Sequence, residues 1–208
     1  DPYFTDDGVS RSFDLYTRTF DASALSLGDY RWRTSGVGLR FGIPYTEIDR
    51  LSAGLSIEGN ALRLGDNAPQ RFKDYVASFG TSSRAILGLF GWRRDSRDSA
   101  FAPTRGQLQA ANVEITLPGT EVHYARASYN HQWYYPLTKD YTLALNGDFG
   151  AGRALGGNSF PLFKNYFAGG IGSVRGYQQS SLGPRDPVDN VPIGGQTRVV
   201  ANAEFIFP

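Results

Sequence analysis

The sequence predicts an all-β chain: an antiparallel meander of about eight strands, forming part of a transmembrane barrel. Three observations carry this. Apolar and polar residues alternate with a period of two in run after run. The 25 Gly residues and an aromatic fraction of 14% accompany a mean hydropathy of -0.35. No stretch reaches the roughly 18 consecutive apolar residues of a membrane helix. A barrel crossing needs only about 9 to 11 tilted residues, with one face to lipid and the other to water, so low hydropathy is compatible with spanning a membrane.

The elements follow in order. The run 12–20 alternates loosely and is read as the first strand. In 36–43, Val37, Leu39, Phe41 and Ile43 oppose Gly36, Gly38, Arg40 and Gly42. In 51–60, Leu51, Ala53, Leu55 and Ile57 oppose Ser52, Gly54, Ser56 and Glu58, a face too polar for a packed globular core. The run 83–94 is again loose, whereas in 111–117 Ala111, Val113, Ile115 and Leu117 oppose Asn112, Glu114 and Thr116. Over 121–136, His123, Ala125, Ala127, Tyr129, Trp133 and Tyr135 share one parity. Tyr124, Arg126, Ser128, Asn130 and Gln132 share the other, and the heaviest aromatics gather near one end as in an interfacial girdle. Strands at 141–149 and 198–207 complete the set.

Connectors alternate between tight and long. Those at 44–49 and 136–140 carry a Pro that ends the strand, as expected of periplasmic turns. Those near 63–82 and 155–195 are long and turn-rich, as expected on the external side. The second contains Phe160, Phe163, Tyr166, Phe167 and Tyr177, too aromatic for disorder, so it is predicted to be ordered and packed inside the barrel. Residues 1–208 are thus one partial barrel domain. The absence of Met, the start at Asp1-Pro2-Tyr3 and the stop at Pro208 predict a piece of a longer protein, whose isolated sheet edges would close, pair with another copy or aggregate.

With 21 basic and 20 acidic residues, charge gives no reason to expect nucleic acid. Without Cys there is no disulfide framework or thiolate metal site. His123 and His131 lie eight residues apart on one strand, too far along it to share a metal. Gly169-Gly170-Ile171-Gly172 has neither dinucleotide spacing nor a phosphate-loop ending, and its glycines serve tight turns. No nucleophile elbow occurs, so no catalytic residue, metal or cofactor is predicted, and the chain is not read as an enzyme. Glu58, Glu114, Asp148, Arg40, Arg126 and Arg198 are read most simply as residues of a hydrated lumen. Trp133, Tyr134 and Tyr135 are read as interfacial anchors. Arg93, Arg94 and Arg97, interleaved with Asp95 and Asp98, are read as a solvated turn, with lipid-headgroup contact a secondary reading.

The long connector carries Phe163-Lys164-Asn165-Tyr166-Phe167-Ala168-Gly169-Gly170, then Ser173-Val174-Arg175-Gly176-Tyr177, then Leu182-Gly183-Pro184-Arg185. This resembles the sixth extracellular loop of the BamA-like outer-membrane insertase family, where a Val-Arg-Gly-aromatic tetrapeptide sits between such flanks. The segment 1–10 looks like that family's turn before strand five, Gly42-Ile43-Pro44 like a later turn, and 203–206 like strand twelve. The resemblance covers the whole chain and implies the middle of a sixteen-stranded barrel. It also implies a bacterial outer-membrane location, lipid around the wall, and unfolded barrel clients and accessory lipoproteins as partners of the full-length protein. A two-partner secretion transporter and a passive porin are the alternatives. The Arg of the tetrapeptide, Arg175, needs a carboxylate inside the barrel. Glu204, on the polar parity of the strand into which the loop leads, is the best candidate.

Overall fold

The computed structural model describes residues 4–25, 27–157 and 159–207. Eight strands run in chain order: β1 (Ser10–Asp21), β2 (Tyr30–Pro44), β3 (Asp49–Leu64), β4 (Ser82–Asp95), β5 (Gly106–Thr116), β6 (Tyr124–Pro136), β7 (Thr142–Ala154) and β8 (Thr197–Ile206). Each pairs antiparallel with the next, so sheet order equals chain order and β1 and β8 are the edges. The start at Asp1-Pro2-Tyr3 and the final Pro208 lie outside the described residues.

The strands hold 10 to 16 residues, more than the about 9 to 11 a tilted crossing needs. Six of them run longer than the stretches read from the sequence; β6 is shorter than the 121–136 read for it, and β8 has the length of 198–207 but starts one residue earlier. His123 falls just before β6, outside it.

Burial inverts the usual globular order. Phe13, Leu15, Val37, Leu55, Ile57, Phe90, Val113, Phe149 and Val199 are exposed on one face, while Ser56, Glu58 and Asn60 are buried on the other. An exposed apolar face of this extent has to meet something other than water. The buried polar face is covered by the long connector, residues 155–196.

Connectors 45–48, 96–105 and 137–141 lie at one end, called here the turn end; 22–29, 65–81, 117–123 and 155–196 lie at the other, the loop end. Of the residues read from the sequence as a solvated turn, Arg93, Arg94 and Asp95 instead end β4, and Arg97, its side chain only 10% exposed, pairs with Asp95 at 2.9 Å. In the connector itself the Asp98 carboxylate accepts from the N–H of Thr104 (3.0 Å) and of Arg105 (3.2 Å), and from the Thr104 hydroxyl. The Thr104 bonds, first the hydroxyl and then the N–H, pull its pKa down to about 2.

The connector 65–81 holds a helix, α1 (Gln70–Phe79), that the reading of this stretch as loop did not contain. Its signal was present: Phe72, Tyr75, Val76 and Phe79 recur at helical spacing within a turn-rich stretch. Tertiary contacts stabilise so short a helix. Phe72 stacks on Tyr30 with ring centroids 4.1 Å apart, inside a cluster with Ala22, Leu27, Leu62, Leu162 and Ile193. The first N–H groups of α1 get no cap from Pro69. Instead Gln70 N–H donates to Asp189 (2.9 Å) and Arg71 N–H to Asp186 (3.2 Å), both on the long connector. Two segments more than a hundred residues apart in sequence are thereby fastened into one cap over the loop end.

Candidate functional site

The long connector is laid onto the polar face in an order that its sequence explains. It leaves β7 over Gly152 and Gly150. A Cβ at Gly152 would come within 2.5 Å of the Phe160 ring, and one at Gly150 within 2.6 Å of the Tyr166 ring. These two glycines are the floor on which the aromatics sit. Phe160 completes a second apolar cluster with Ala85, Leu87, Val122 and Tyr124.

Between the two rings Pro161 starts a single 3-10 turn, Leu162–Lys164, and it aims Lys164 into the wall. The ammonium donates to Glu58 Oε2 on β3 and to Glu114 Oε1 on β5, both at 2.8 Å. Each carboxylate has a second donor: the Tyr16 hydroxyl of β1 bonds Glu58, and the Tyr124 hydroxyl of β6 bonds Glu114. The side chains of Lys164 and Glu58 are only 9% and 8% exposed. A charge so enclosed is stable only when paired and hydrogen-bonded, and all three charged groups here are. The network ties the connector to four strands at once.

Glu58 and Glu114 are therefore not free hydrated residues but the two jaws of a clamp. Asp148, read the same way, accepts from Arg198 at 2.6 Å. Arg198 also donates to the Phe167 carbonyl at 3.1 Å. The Tyr166 hydroxyl donates to the Ala127 carbonyl at 2.7 Å, and the Arg126 guanidinium lies 4.0 Å from the centre of its ring. Arg126 thus meets an aromatic face, not bulk water.

The tetrapeptide Val174-Arg175-Gly176-Tyr177 lies further along, beside the edge strand β8. Asn202 Nδ2 donates to the Ser173 carbonyl at 3.0 Å. The Arg175 guanidinium stands 3.3 Å from Glu204 Oε1 in one contact, with side chains 71% and 47% exposed. The structure thus brings Arg175 and Glu204 together, though more loosely than Lys164 and its partners. Beyond the tetrapeptide, Gln178 Nε2 reaches the Leu25 carbonyl at 2.6 Å, and Asp186 and Asp189 close on α1. Burial raises the Asp186 carboxyl, but the N–H groups of Val188, Arg71 and Asp189 outweigh it and hold it below the usual 3.8.

Lys164 was not singled out by the sequence reading. It is one of three Lys residues and is enclosed by Phe163, Tyr166 and Phe167. A lone cation in an aromatic run calls for a carboxylate, and that was the available signal.

A sheet with an apolar outer face, a polar inner face and a connector folded onto that inner face defines a section of wall from a membrane β-barrel. Its family is the Omp85 superfamily, to which the chain belongs: residues 1–208 match the Omp85 superfamily domain from end to end. The chain is similar to the outer membrane protein assembly factor BamA of Neisseria meningitidis serogroup B, at 37% identity over 222 residues, covering 100% of this chain and 28% of that protein. It is also similar to the BamA of Nitratidesulfovibrio vulgaris, at 26% identity over 182 residues, covering 86% and 22%. The crystal structure of BamA from Haemophilus ducreyi lacking POTRA domains 1–3 matches with a TM-score of 0.89 and 29% identity, over 100% of this chain and 43% of that one. The chain spans less than a third of the length of these curated relatives.

Proposed function

We propose that this chain is a section of the wall of a bacterial outer-membrane barrel that assembles other barrel proteins into that membrane, and that residues 155–196 fold into its lumen as an internal brace. The reading rests on the likeness of the whole of this chain to 28% of the meningococcal assembly factor. The clamped connector agrees with it, since Lys164 fixes an ordered segment against the polar face. The partners of the full-length protein are then membrane lipid, unfolded barrel clients and accessory lipoproteins. In this reading Val174-Arg175-Gly176-Tyr177 rests against the lumen wall, with Glu204 as the counter-charge of Arg175.

Such a function needs no covalent chemistry. A client strand entering a bilayer must have its backbone groups satisfied by pairing, and a barrel can offer an edge for that pairing only if the rest of its wall stays rigid. The connector supplies rigidity by cross-linking β1, β3, β5 and β6 through Lys164. Reconstitution of the full-length protein into liposomes with an unfolded client barrel tests the reading. Faster client folding, seen as a heat-modifiable band, is the expected result. Large steady conductance with no gain in client folding overturns it in favour of a porin.

A further inference from the structure

On the apolar face, near the turn end, three polar side chains break the hydrophobic surface. Gln107 and Gln109 of β5 and His131 of β6 share the outward parity of Trp133, which pairs with Gln107. Gln107 Oε1 accepts from Gln109 Nε2 at 3.1 Å and lies 3.2 Å from His131 Nε2, which also stands 3.5 Å from Gln109 Nε2. The two Gln109 amide contacts are thus spent inside the triad, and the donors left over are those of Gln107. Its amide N–H₂ meets no acceptor among the described residues. In a wall that faces lipid, unmet donors are costly, and the group that satisfies them has to be rich in acceptors.

His131 also forms one end of a groove of about 440 Å³ on the same face. Its floor is made of Gly147, Ala201 and Ala203, and its sides are Trp133 and Phe149. The small floor residues come from β7 and β8, and the rings stand up on either side, Trp133 and Phe149 being 41% and 43% exposed. An apolar trough ending in donors matches an amphiphile whose polar group only accepts. The level is right as well: the exposed aromatics Tyr135, Tyr141, Phe205 and Phe207 gather toward the same end, where side chains of this kind mark the boundary between acyl chains and headgroups.

We propose that this groove is a phospholipid site, with one acyl chain lying between Trp133 and Phe149 and the phosphodiester oxygens accepting from the Gln107 amide. The occupant is a phospholipid because the Gln107 amide offers donors to a phosphate and its end of the barrel carries the connectors 45–48 and 137–141, read as periplasmic turns. The proposal rests on the apolar face meeting lipid but not on insertase activity, so the two fail separately.

The test is native mass spectrometry of the full-length protein released from nanodiscs of phosphatidylglycerol, of lipid A, or of a phosphate-free galactosyl diacylglycerol. The wild-type protein should retain phosphatidylglycerol. The double substitution Gln107→Leu/His131→Leu should lower that retention about tenfold, equivalent to ~1.4 kcal/mol. Ala203→Phe, which fills the trough and leaves the triad intact, should do the same and serves if the double variant does not fold, as judged by heat-modifiable migration. Equal retention of the galactolipid overturns the phosphate reading. Preference for lipid A overturns the choice of phospholipid, and unchanged retention in a folded variant overturns the site.

Discussion

Lys164 and Arg175 both hang from the same connector and both reach a carboxylate on the wall, yet the two contacts are physically unlike. Lys164 is enclosed, touches two carboxylates at 2.8 Å, and those carboxylates are held in turn by Tyr16 and Tyr124. Arg175 makes one contact at 3.3 Å with its side chain 71% exposed. Exposed pairs contribute little because water and salt screen them, whereas breaking an enclosed pair leaves a charge with no compensation. The difference teaches that the residue marked by a recognisable tetrapeptide need not be the one that bears the load within this section of wall.

The largest expected effect follows directly. Lys164→Met should lower the stability of the full-length barrel by about 3–5 kcal/mol, because Glu58 is left buried, and Glu114 half-buried, without the ammonium that pairs them. The measurement is the midpoint of urea unfolding followed by heat-modifiable migration. Adding Glu58→Gln to Lys164→Met should restore part of the loss, since it removes one of the stranded charges. A Lys164→Met midpoint equal to wild type would reverse the ranking of the two contacts.

Next comes the floor beneath the connector. Gly150→Ala places a methyl where the Tyr166 ring now lies, with backbone on one side and Arg126 across the ring. Overpacking of this kind costs about 1–3 kcal/mol, and it should also raise protease cleavage within 155–196 as the ring is pushed off. Unchanged cleavage would mean that the connector is held by its ends rather than by its aromatic contacts.

The sheet was legible in the sequence because a period of two on a wall with one apolar face leaves its mark at nearly every residue. Leu51, Leu55 and Ile57 opposite Ser52, Ser56 and Glu58 report their faces with no further information. The clamp was not, because pairing Lys164 with Glu58 spans 106 residues and depends on where the connector comes to rest. Nor was the cap on α1, for which Pro69 shows no capping side chain and whose acceptors come from Asp186 and Asp189. Local pattern fixes which face a residue takes; contacts between distant connectors are set by the three-dimensional path.

That cap has a pH signature. The Asp186 carboxyl titrates below its ordinary value in the folded chain, so the stabilisation it contributes is complete above about 3.8 and fades as pH falls through the folded pKa. Hydrogen exchange at the Arg71 amide, which donates to Asp186, should, once corrected for intrinsic rates, show protection that is steady from neutral pH to about 4 and then declines. Asp186→Ala should abolish that step and cost ~1 kcal/mol, the usual worth of a helix N-cap. A step that persists in the variant would assign it to another carboxylate.

The smallest expected effect belongs to the tetrapeptide. Arg175→Ala and Glu204→Ala should each lower stability by about 0–1 kcal/mol, and the double variant should be little worse than either single one. Each single change removes the same contact, so the second has little left to remove. Strictly additive losses would show that the two side chains do not act as a pair. Salt separates this contact from the clamp. At 1 M NaCl the Debye length shrinks to about 3 Å, so the Arg175→Ala effect should nearly vanish while the Lys164→Met effect persists, because an enclosed pair is shielded from counter-ions. An Arg175→Ala loss that matches Lys164→Met and resists salt would mean that Arg175 is buried in the full-length barrel by wall that lies beyond β8, and that the loose contact with Glu204 is only half of its setting.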